Sequence, residues 1–193
     1  MSPITSTLAN GSAYGYRTLA AAAGTAFESI ATATGTGSSG TITFSSIPST
    51  YASLQIRAIS RDTFASTFID FGTLTFNGST TGYAAHWLYG DGSATNAFGS
   101  ASRSNTGWWL SLGNNNTSGI VSATIYDIHD YASTTNNKTI RIFSGVDTNG
   151  AGRVALTSGL WANTSAITSI SFTSPNANFT TNTVFSLYGI KGA

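Results

Sequence analysis

From Phe27 onward, apolar and polar residues alternate in short runs, and each run is closed by a cluster of Gly, Asn, Ser or Thr. A period of two is what a strand with one buried face requires, and no long stretch carries the period of about 3.6 that a helix would need. The runs are Phe27–Ala31, Thr41–Phe44, Leu54–Ala58, Phe68–Phe76, Ile120–Ile128, Thr139–Phe143, Val154–Leu156, Ile167–Phe172 and Val184–Tyr188. Within them Leu54, Ile56 and Ala58 share one face, and Asp70, Gly72, Leu74 and Phe76 share another. Asn77-Gly78, Asp91-Gly92, Asn114-Asn115-Asn116, Asn136-Asn137 and Asn149-Gly150 supply the turns. Asn and Asp tolerate the left-handed conformation, and Gly adopts it without steric cost. About ten strands at this spacing predict an all-β, antiparallel, jelly-roll-like sandwich over residues 27–193.

Composition decides whether such a chain folds at all. Only 8% of the 193 residues are charged, against about 25% in an average soluble domain. Low charge accompanies disorder only when apolar residues are also few, and here 40% are hydrophobic and 12% aromatic. A surface of hydroxyls and amides repels its own copies weakly and suits repeated, closely packed subunits. The net charge is +1 with no Lys/Arg cluster, so phosphate neutralisation has little to work with and no nucleic-acid partner is expected. Cysteine is absent, which leaves neither disulfides nor thiolate metal ligands. No basic leader precedes an apolar segment, and no run approaches the ~18 apolar residues of a membrane span. Synthesis in a cytoplasm without membrane insertion is the expectation.

Residues 1–26 follow a different rule. Asn10-Gly11-Ser12, Tyr14-Gly15-Tyr16 and Ala20–Ala23 show no sustained period. They read as an extended N-terminal arm, with Tyr14, Tyr16, Arg17 and Leu19 as its anchoring residues and one short helical turn over Thr18–Ala23.

Several stretches together resemble a family of phage virion structural proteins, frequent in phages of marine and freshwater bacteria, cyanophages included. They are Phe27-Glu28-Ser29-Ile30-Ala31, Phe44-Ser45-Ser46-Ile47-Pro48-Ser49-Thr50-Tyr51 and Leu54-Gln55-Ile56-Arg57. Leu88–Ser93, Asp127–Tyr131, Asn137-Lys138-Thr139, Ser158–Trp161 and Leu187–Gly192 complete the set. The resemblance implies a component of the virion surface, either a capsid decoration protein or a tail-fibre module. It brings no catalytic residues and no cofactor.

The residues themselves argue against chemistry. Asp62, Asp91, Asp130 and Asp147 stand where turns are expected, and Asp127 and Asp130 are too close to flank a glycosidic bond unless the strand ends between them. Asp127 and His129 share a strand face, but no nucleophile stands out among so many serines, so a strand-end histidine is the simpler reading. Asp147-Thr148-Asn149-Gly150 resembles the opening of a calcium loop but lacks the distal acid, which favours a hairpin turn. Neither a metal nor a cofactor site is expected.

Trp108-Trp109 is the sharpest interaction signal. Adjacent strand residues face opposite ways, so only one can enter the core. With Trp87, Tyr89 and Tyr83, the other could form an aromatic platform. Subunit interface, core or sandwich rim, and glycan contact are the readings for Trp108, Trp109, Trp87 and Tyr89. Trp161 reads as core.

The expectation is a non-enzymatic virion protein that decorates the capsid and grips it through its arm. The alternative is a tail-fibre or other appendage subunit that touches a host surface glycan. Its partners would be further copies of itself, a trimer being the commonest arrangement for virion appendages, and the major capsid protein or tail and baseplate proteins.

Overall fold

The computed structural model describes residues 26–115 and 117–192, and among these there are twelve strands and no helix. The expected arm, with Tyr14, Tyr16, Arg17, Leu19 and the helical turn, lies outside the described residues apart from Ala26. The strands are β1 (Phe27–Thr34), β2 (Thr41–Phe44), β3 (Ser53–Ser60), β4 (Ile69–Phe76), β5 (Tyr83–Gly90) and β6 (Thr95–Arg103). They continue with β7 (Trp108–Leu112), β8 (Ser122–His129), β9 (Lys138–Asp147), β10 (Gly152–Trp161), β11 (Ile170–Thr173) and β12 (Val184–Ile190).

Two antiparallel sheets form the sandwich, one in the order β1-β12-β3-β8-β9-β10-β5-β6 and the other β2-β11-β4-β7. β1 lies against β2, β7 lies against β8, β9 and β10, and the chain alternates between the two sheets, β1 to β2 to β3 to β4. That is the two-Greek-key winding of a jelly roll. Two hairpins, β5–β6 and β9–β10, are inserted into this winding, and both add to the same sheet. Eight strands therefore lie against four.

Alternation places the core as the sequence predicts. Leu54, Ile56, Leu74, Phe76, Tyr126, Ile128, Ile140, Ile142, Phe172, Phe185 and Leu187 close the main core between the sheets. Trp109 lies within it, its indole over Gly72, the residue opposite it on β4. Tyr83 stacks on Trp161, both fully buried. Lys138 is buried too: its Nζ donates to the carbonyls of Ser133, Asn136, Asn163 and Thr164 and ties the β8–β9 turn to the loop after β10.

The predicted turns at Asn77, Asp130 and Asn149 have positive φ, as their residue types anticipate. Asp62 departs from expectation. It is wholly buried, in an isolated bridge to Phe179, and shares the Ser174 hydroxyl with Asp70. Burial, more than any neighbour, raises its pKa.

Candidate functional site

The small sheet ends at β7, whose far edge meets backbone at Leu112, in an isolated bridge to Arg61. The large sheet supplies side-chain hydroxyls to it. Ser144 Oγ accepts from Leu110 N, Ser122 Oγ donates to the Leu110 carbonyl, and Thr157 Oγ1 donates to the Trp108 carbonyl. Unmet backbone groups in a buried setting would each cost about 1–3 kcal/mol, so these Ser and Thr residues belong on the inner face despite their polarity. They hold β7 close against the large sheet with both of its faces covered.

One face turns Trp109 into the main core, with no exposure. The other turns Leu110 and Leu112 into a second, smaller core with Ile69, Trp87, Val146 and Ala155. Phe68, Phe71, Tyr89, Trp108 and Ile120 pack around it. This second core exists because the inserted hairpins extend the large sheet beyond β7.

Where the overhang outruns β7, a cleft of about 450 Å³ opens between β5–β6 and the start of β7. Its aromatic lining is Phe71, Trp87, Tyr89, Phe98 and Trp108. Trp87 meets Trp108 edge-on at 4.8 Å between ring centroids and Phe71 edge-on at 5.2 Å. Phe98, over half exposed, lies 5.9 Å from Trp87 and 6.2 Å from Tyr89. Two arginines flank these rings: Arg103 is 4.6 Å from the Trp108 ring centre, and Arg153 is 4.3 Å from that of Tyr89. Arg103 donates to Asn105 Oδ1 and has no acidic partner among the described residues. Burial alone lowers its pKa. The Trp87 indole N–H and the Nε–H of both arginines are buried without an acceptor among the described residues.

Of the residues the sequence singled out, Trp87, Tyr89 and Trp108 thus meet in one cleft. Trp109 and Tyr83 do not belong to it, since both are core. Phe71, Phe98, Arg103 and Arg153 carried no sequence signal, because they come from three different segments that only the fold assembles.

The outer face of the large sheet is the second notable surface. Ile125, Phe143, Leu156 and Leu88 are direct cross-strand neighbours on β8, β9, β10 and β5. They are 40%, 55%, 50% and 46% exposed. Ile59 and Val154 stand at the two ends of the neighbouring row, Ile59–Ala123–Gly145–Val154, where a shallow trough of about 1220 Å³ runs over Ala123 and Gly145. Single exposed aliphatics need no explanation, but a contiguous row across a sheet centre marks a contact surface.

The acids and histidine considered for catalysis are occupied elsewhere. Asp127 accepts from Gln55 Nε2, and His129 pairs with Arg141. Asp147 accepts from Asn149 N in the β9–β10 turn. No group of three or more His, Cys, Asp or Glu that could hold a metal occurs among the described residues. No protein-family model, no curated protein and no solved structure matches the chain.

Proposed function

We propose that this protein is a non-enzymatic structural subunit of a phage virion, a capsid decoration protein that assembles through the outer face of its large sheet. The observation that carries the reading is the apolar row Ile125–Phe143–Leu156–Leu88, which costs free energy while it faces water. At about 25 cal/mol per Å², covering several such side chains is the main driving force available to a chain with so few charges. The sequence resemblance supplies the virion context. The jelly roll agrees with it at the level of analogy, being an architecture of capsid and of lectin domains alike. On this reading residues 1–26 grip the capsid lattice while the sheet face joins copies to one another.

Sedimentation of the purified chain tests the assembly surface. The wild type should sediment as a closed oligomer, and the double variant Phe143→Ser/Leu156→Ser as a folded monomer. A monomeric wild type at micromolar concentration would remove the carrying observation. Gold-labelled antibody on intact virions tests the place: label over the head supports decoration, and its absence from the particle refutes the virion assignment.

The aromatic cleft favours a second reading, an appendage subunit that contacts a host surface glycan. Label confined to the tail tip or fibres would select it.

A further inference from the structure

We infer that the cleft under the β5–β6 overhang binds an acidic saccharide, with the ligand's carboxylate on Arg103 and its ring against the exposed Phe98. The inference deepens the appendage reading and rests on the same cleft.

The first argument is charge. Arg103 is partly desolvated beside Trp108 and forms no ion pair among the described residues. Arg153, over the Tyr89 ring but outside the cleft lining, has no ion pair among the described residues either, Asp91 lying only within electrostatic range of it. A guanidinium held at a cleft without a carboxylate is a site for one brought by a ligand, since charge-assisted bonds of this type are among the stronger polar contacts.

The second argument is the sense of the hydrogen bonds. The unsatisfied side-chain groups of the cleft lining, the Trp87 N–H and the Arg103 Nε–H, are both donors. Sugar hydroxyls and carboxylates accept readily. A peptide would bring its own backbone N–H groups into a cleft whose lining offers them few acceptors, which is why the saccharide is preferred.

The third is shape. A volume of about 450 Å³ is within the range of small-ligand sites, and the walls are aromatic, as C–H faces of a pyranose require. The opening exists because no strand of the small sheet covers β5 and β6.

Calorimetric titration of the full chain tests the inference with two acidic probes, trigalacturonate and 3′-sialyllactose. Their neutral counterparts are galactotriose and lactose, and a capped triglutamate peptide is the competing class. At least one acidic sugar should bind ten-fold or more tightly than its neutral counterpart and than the peptide, and should perturb tryptophan fluorescence. Arg103→Gln should remove that preference, and Phe98→Ala, at a side chain that is over half exposed, should weaken binding without altering the melting temperature. The inference is overturned if neither acidic sugar binds at millimolar concentration. It is equally overturned by equal affinity for the neutral sugars, by tighter binding of the peptide, or by unchanged binding in both variants. Because the assay uses free protein, it can fail while virion labelling succeeds, and the reverse.

Discussion

Trp108 and Trp109 are adjacent, yet they are held by different environments. Trp109 is enclosed by Tyr126, Phe179 and Phe185 and lies over Gly72. Replacing it with Ala should cost about 3–5 kcal/mol, as for other fully buried tryptophans. Trp108, half-buried and packed on Trp87, Phe71 and Arg103, should cost about 1–2 kcal/mol. Urea unfolding of the two variants checks the order, and equal losses would contradict it. Asp62 offers a prediction in pH. Its folded carboxyl holds the proton more tightly than the ordinary value of 3.8 allows, chiefly through burial. Its contribution is therefore most favourable below that value and is lost as pH rises through the raised folded pKa. Asp62→Asn keeps an acceptor for Phe64 N and adds a donor toward Ser174, so it should melt higher than the wild type near neutral pH, with the gap closing toward pH 3.8. Thermal melts across pH would show it. Neither the buried Asp62 nor the inward Ser122, Ser144 and Thr157 could be read in advance, because their partners are backbone groups and side chains distant in sequence.

At the scale of elements, β10 is the informative strand. Ala155, Thr157, Gly159 and Trp161 point inward, while Val154, Leu156, Ser158 and Leu160 point out. Small residues are needed inside because the Thr106 loop comes so close that a Cβ on Gly159 would sit 2.4 Å from the Thr106 carbonyl. The bulkier aliphatics of this strand, Val154, Leu156 and Leu160, lie on the outer face, and Leu156 joins the apolar row there. Two glycines separate these roles. Gly159→Ala should destabilise the fold by about 1–3 kcal/mol through overpacking. Gly145, in open space on the outer trough, should accept Thr with little loss of stability. The Gly145→Thr protein should fold but associate more weakly, as sedimentation against a chemical melt would reveal. Nine strands show in the sequence as alternation. The β5–β6 hairpin does not: β5 has apolar residues on both faces, and β6 is an edge strand with mostly exposed residues.

For the whole molecule, the jelly roll is the frame and the two inserted hairpins carry much of both candidate surfaces. β9, β10 and β5 provide most of the apolar row, and β5 and β6 provide the cleft wall. Deleting residues 1–26 should leave a folded sandwich that no longer joins the particle. Virion incorporation of the truncated chain would refute the arm's role. What the sequence by itself determined is the all-β class, most strands, the turns and the inward faces of the main core, because period, turn chemistry and hydrophobicity act over neighbouring residues. Tertiary structure alone decided which hairpins extend the large sheet, that Trp109 enters the main core while Trp108 meets Trp87 and Arg103, and that large aliphatics on β10 face out. Those outcomes depend on which strands pair and how closely the sheets approach, and such contacts join residues far apart in the chain.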